Sequence, residues 1–300
     1  MTIFNSLSFF SYIKGKTAIH FCKKSSNIVA QKTERMESEI RKPLGLCLSG
    51  GGAIGIAHIG VLQALLDNGI EPDVVSGSSM GAIVGTLYAA GYYPTEMMQM
   101  IQEDRLYLVS KLMTFKPSFW KSGFSTHSTV QKLIHETIPL DTFKSLKRKM
   151  FICVTNLNTM EWEIKSSGKN LATWVSASAS IPGVFETQEV DGIYYVDGGV
   201  LNNLPAQPLK TICRAIIGVD VLPYSAPVNL KRPIEVMAYT IRGIQKVNSA
   251  EGRSLCDHVI DCQAVKKFHE FKFEAYQRLY RQGYKDGLDY IKSHPEIKTL

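Results

Sequence analysis

From residue 43 onward, apolar positions arrive in two alternating rhythms. The short continuous runs LGLCLS (44–49), DVVSG (73–77), MFICVTNLN (150–158), IYYVDGG (193–199) and AIIGVDV (215–221) have the length and composition of buried strands. Between them lie stretches of helical period. HIGVLQALLDNG (58–69) puts Val61, Leu62, Leu65 and Leu66 on one face and stops at Gly69. MGAIVGTLYAAG (80–91) predicts a second helix, rich in small residues and again closed by glycine. FKFEAYQRLYRQGYKDGLDYI (271–291) predicts an amphipathic closing helix. This alternation predicts an α/β fold with a mostly parallel sheet and helices on its faces. No internal repeat interrupts it, so residues 41–300 read as one domain behind an extension of residues 1–40.

Composition narrows the class. Of 300 residues, 45% are hydrophobic and 20% charged, which suits a globular chain rather than a disordered one. No run approaches the roughly 18 apolar residues of a membrane span. The net charge of +7 sits unevenly. Residues 1–35 carry Lys14, Lys16, Lys23, Lys24, Lys32 and Arg35 against Glu34 alone, which leaves only +2 for the rest. The basic character therefore belongs to the extension, and no nucleic-acid partner is expected. The extension reads as poorly ordered, with a start at Met36 and contact with an acidic membrane surface as alternatives. Its first residues lack a basic leader and a cleavage site, which argues against a secretory signal. The six cysteines show no paired spacing, which suits a reducing compartment and a cytoplasmic location.

Three motifs carry chemistry. Gly50-Gly51-Gly52-Ala53-Ile54-Gly55 lies between a strand and a helix, where glycines leave backbone N–H groups uncovered for an anion. It also matches a dinucleotide fingerprint, but Asp73 stands at the wrong end of the second strand to hold a ribose. Gly77-Ser78-Ser79-Met80-Gly81 is a G-x-S-x-G between a strand and a helix, the context of a nucleophile elbow. Tyr195-Val196-Asp197-Gly198-Gly199 ends a strand in an acid. Together they supply a serine, an acid to activate it and donors for a developing oxyanion.

Four segments resemble the patatin-like phospholipases in order and spacing: Leu48–Gly52, Gly77–Gly81, Ala177–Phe185 and Asp197–Pro205. The resemblance is strong over about residues 44–220. It implies a three-layer α/β/α sandwich, a Ser79–Asp197 dyad without histidine, and hydrolysis of lipid esters with no cofactor or metal. By the same resemblance Gly51, Gly52, Ala53 and Gly55 form the oxyanion loop, and Gly77, Gly81, Gly198 and Gly199 support the elbow and the acid. The chain departs from the family at Ile54, where Arg or Lys is common.

Alternatives remain at this level. A triad could recruit His258 or His269. Acyl transfer to an acceptor other than water, proteolysis, or a silent lipid-binding protein would use the same fold. The Met- and aromatic-rich stretch from Met97 to Trp120 reads first as core, with an acyl groove or lid as the alternative. A lipid substrate with peripheral membrane contact is expected; oligomeric state has no sequence signal.

Overall fold

The computed structural model describes residues 42–103, 126–183, 185–222, 233–262 and 275–300. Strand β1 (Leu44–Leu48) is buried along its whole length. Leu44, Leu46 and Leu48 face the main core, whereas Cys47 faces the opposite side among Val74, Phe151, Leu209 and Ile216. That period of two is what a strand covered on both faces requires.

A 3₁₀ turn (Gly52–Ile56) and helix α1 (Ala57–Asp67) follow, then β2 (Val74–Gly77) and α2 (Met80–Ala90). Helices α3 (Pro94–Gln102) and α4 (Thr126–Thr137) precede β3 (Lys149–Asn156), which turns back into β4 (Glu161–Lys165). Next come α5 (Leu171–Ser178), β5 (Gln188–Val190), β6 (Ile193–Asp197) and α6 (Gln207–Lys210). The chain closes with β7 (Ala215–Asp220), α7 (Pro233–Leu255), β8 (His258–Asp261) and α8 (Ala275–Ser293).

Among the described residues, all eight strands join one sheet. Strands β3, β2, β1, β7 and β8 run parallel in that order, while β4 and β6 pair antiparallel with β3. Residues from α1, α2, α5 and α8 fill the core on one face. Leu209 of α6 and Leu255 of α7 pack on the other. The result is the three-layer α/β/α sandwich with a mostly parallel central sheet.

The layer of α1 and α8 is unusually close. A side chain at Gly60 would place its Cβ 2.0 Å from the Tyr280 carbonyl oxygen, and one at Gly283 would stand 2.1 Å from that of Ala57. The two helices therefore touch backbone to backbone.

The predicted strands and the first two helices stand within about two residues of their expected ends. The helix expected over 271–291 begins, among the described residues, at Ala275. Met97, Met100 and Ile101 of α3 are core residues. The rest of the Met97–Trp120 stretch beyond Glu103 lies outside the described residues, as does the extension over 1–40. Strands β4, β5 and β8 and helix α7 had no clear sequence signal. Strand β4 is an edge strand that carries Glu161, Glu163 and Lys165. Helix α7 contains Gly243 and Gly252, residues that ordinarily argue against a long helix.

Candidate active site

Strand β2 ends at Gly77 and α2 begins at Met80, so Ser79 sits on the turn itself. Its backbone adopts φ 53° and ψ −123°, a conformation that costs a residue with a side chain about 1–3 kcal/mol. The surroundings hold it there. The Ser79 N–H donates to Ser178 Oγ at 2.9 Å, and that hydroxyl donates to the Cys153 carbonyl at 2.6 Å. The Ser79 carbonyl accepts from the N–H groups of Ala82 and Ile83. Gly81 lets the turn close, because a Cβ there would stand 2.4 Å from the Leu48 carbonyl oxygen. Gly77 packs against Gly81 in the same way.

The register of β3 explains how Asp197 arrives. Ile152 pairs with Gly77 of β2 on one edge and with Lys165 of β4 on the other. Two residues further on, Val154 pairs with Asp197 of β6 and with Glu163 of β4. Since β4 lies opposite both β2 at Ile152 and β6 at Val154, β2 and β6 share the other edge, end to end. The end of β6 is thereby delivered beside the end of β2. Ser79 Oγ donates to Asp197 Oδ2 at 2.6 Å, and both residues are 1% exposed.

The second carboxylate oxygen, Oδ1, accepts the Gly199 N–H at 2.7 Å. The Asp197 carbonyl accepts from Thr155 Oγ1 and its N–H donates to the Ser180 carbonyl. Burial raises the Asp197 pKa from 3.8 to about 6, against the lowering effect of the hydrogen bonds from Ser79 and Gly199. Gly198 passes so close to β3 that a Cβ there would lie 2.2 Å from the Cys153 carbonyl oxygen.

The glycine loop approaches from β1. Ser49 is pinned at both ends: its N–H donates to the Val219 carbonyl, and its hydroxyl accepts the Val221 N–H and donates to the Gly50 carbonyl. The Gly50 N–H donates to the Asn203 carbonyl at 3.1 Å. A Cβ on Gly50 would lie 3.2 Å from Ser79 Cβ, so this loop passes directly over the serine. Gly51 precedes the 3₁₀ turn and Gly52 and Ala53 open it, where the first N–H groups of a helix have no partner inside it. Gly55 lies deeper in the turn and packs on Met80. Ile54, where the resemblance leads one to expect Arg or Lys, is buried in the core, so apolar packing holds the loop there.

Among the described residues, neither His58 nor His258 is hydrogen-bonded to this pair. His58 is fully buried, and its Nε2 faces the Ser49 carbonyl at 2.8 Å, which makes that nitrogen the donor. Burial lowers its pKa to about 4, so the ring is neutral at pH 7. His258 stands on β8, three strands from β2, or roughly 14 Å at the usual strand spacing. It packs against Tyr290. His269 lies outside the described residues. Among those described, no group of three His, Cys, Asp or Glu side chains is placed to hold a metal ion, and no helix is long and apolar enough to cross a membrane.

Sequence reasoning missed Ser178, Thr155, Asn203 and Asn248. Ser178 and Asn203 lie inside segments that the resemblance had singled out, and motif position was the signal available. Asn248 had none. The assembled chemistry is a serine hydroxyl already shared with a buried carboxylate, under a loop of backbone donors.

A family model described as patatin-like phospholipase matches residues 46–210. The chain is 31% identical over 182 residues to lysophospholipase NTE1 of Saccharomyces cerevisiae, covering 59% of this chain and 11% of that protein. It is 26% identical over 293 residues to neuropathy target esterase sws of Drosophila melanogaster, covering 86% of this chain and 20% of that one. The chain thus spans a fifth or less of the length of these relatives. Among solved structures, VipD from Legionella pneumophila is 18% identical with a TM-score of 0.49, covering 84% of this chain and 67% of that one.

Proposed function

The chain belongs to the patatin-like phospholipase family, and on that premise we propose that it is a lipid acyl hydrolase working through Ser79 and Asp197. The observation that carries this reading is the 2.6 Å hydrogen bond from Ser79 to Asp197, buried at a strained strand-to-helix turn. The names of the relatives support an ester of a phospholipid or lysophospholipid as substrate.

Asp197 takes the hydroxyl proton as Ser79 Oγ attacks the ester carbonyl carbon. The oxyanion forms against the N–H groups of Gly51, Gly52 and Ala53, each donor contributing about 3–4 kcal/mol in comparable sites. The ester C–O bond breaks, and the proton held on Asp197 passes to the departing alcohol. Water then gives a proton to Asp197 and attacks the acyl carbonyl, and Ser79 leaves with its proton restored. Neutral His58 holds the Ser49 carbonyl and takes no part in proton transfer.

Asp197→Asn keeps the side-chain shape and removes the base. Its turnover of a lysophospholipid is expected to fall by about 10³–10⁴-fold. Turnover near the wild-type rate in a folded Asp197→Asn protein would refute the dyad. Measuring released fatty acid with and without an added alcohol separates hydrolysis from transfer.

A further inference from the structure

Helix α7 lies beyond the stretch matched to the family, yet one of its side chains reaches both halves of the site. Asn248 Nδ2 donates to the carbonyl oxygens of Gly199 at 3.0 Å and Val200 at 2.9 Å. Its Oδ1 accepts the Asn203 N–H at 2.9 Å. The amide orientation is fixed, because a flipped group would turn an acceptor toward two carbonyls. Both anchored peptides lead on to the site. The Gly199 N–H binds Asp197 Oδ1, and the Asn203 carbonyl holds the Gly50 N–H of the glycine loop.

We propose that Asn248 is a positioning residue that fixes the Asp197 loop against the glycine loop and keeps the carboxylate aligned on Ser79. The inference rests on the dyad reading above. Few groups compete for control of Asp197 among the described residues. From α7, Gln245 faces Gly199 and is uncharged, while Lys246 and Arg253 pair with Asp220 of β7. From β3, the Cys153 thiol stays neutral because burial pushes its pKa up. From the turn before α2 comes the Ser79 hydroxyl. Burial raises the carboxyl pKa and the hydrogen bonds from Ser79 and Gly199 lower it, so a loosened loop that weakens both bonds raises it further.

The test uses Asn248→Ala and the similarly sized Asn248→Leu, with Val247→Ala on the exposed side of α7 as control. Rates on a soluble short-chain ester are expressed per site titrated by a fluorophosphonate. Both Asn248 variants are expected to lose about 10–100-fold in kcat with KM changed less than about twofold. The acid limb of their kcat/KM profiles should move up by about 0.5–1 pH unit. The control should match wild type. A folded variant with wild-type kcat, or a lost rate with an unmoved acid limb, overturns the proposal. Failure of the wild-type Ser79 to label would instead overturn the dyad reading itself.

Discussion

Asp197 is 1% exposed and has its pKa raised to about 6. Keeping it ionised at neutral pH costs the fold about 3 kcal/mol relative to an unfolded chain in which the group titrates near 3.8. The folded pKa lies above the unfolded one, so the penalty is absent below about pH 4. It grows as pH rises toward about 6 and is constant above that. Asn at this position escapes it. Denaturant unfolding should find Asp197→Asn more stable than wild type by up to about 3 kcal/mol at pH 8, with the gap closing at pH 4. A gap independent of pH contradicts this account. His58 works in the opposite direction, since stability from its neutral ring is lost as pH falls from 6.5 toward about 4. The comparison of two chains that share His58 cancels it.

Elements succeed or fail on how closely they can approach. The contact of α1 and α8 depends on Gly60 and Gly283, where a methyl would meet backbone rather than a flexible side chain. Gly283→Ala should destabilise by about 1–3 kcal/mol or more, because the helices must part. Gly243 is the converse, a glycine in the interior of α7 where an added methyl would meet nothing within 4 Å. Gly243→Ala should stabilise by about 0.5–1 kcal/mol through helix propensity. Thermal or denaturant unfolding of the two variants checks both signs. The same contrast explains what the sequence revealed at this scale. Buried strands such as AIIGVDV announce themselves by continuous apolar residues. The length of α7 was hidden because Gly252, which packs on the Leu204 carbonyl, looks the same in sequence as Gly243, which packs on nothing. Strand β4 was hidden because an edge strand can carry charge.

Across the whole molecule, the sheet does what no single motif could. It brings Ser79 and Asp197, 118 residues apart, to one edge of β3 by seating β2 and β6 end to end. The serine, the acid and the glycine loop were legible because each occupies a local strand-end pattern. Their support was not, because Ser178 and Asn248 act across distances of 99 residues and about 50 residues through contacts that no local pattern encodes. The formal charge also has a simple distribution, with most of the +7 in the first 35 residues and little in the domain that holds the site. The most direct test of the Ser79–Asp197 pair is the intact mass of the protein before and after a fluorophosphonate probe, followed by peptide mapping. One adduct is expected, on Ser79, absent in Ser79→Ala and slowed as pH falls below about 6. A folded protein that takes no adduct, or takes it on another residue, contradicts the dyad.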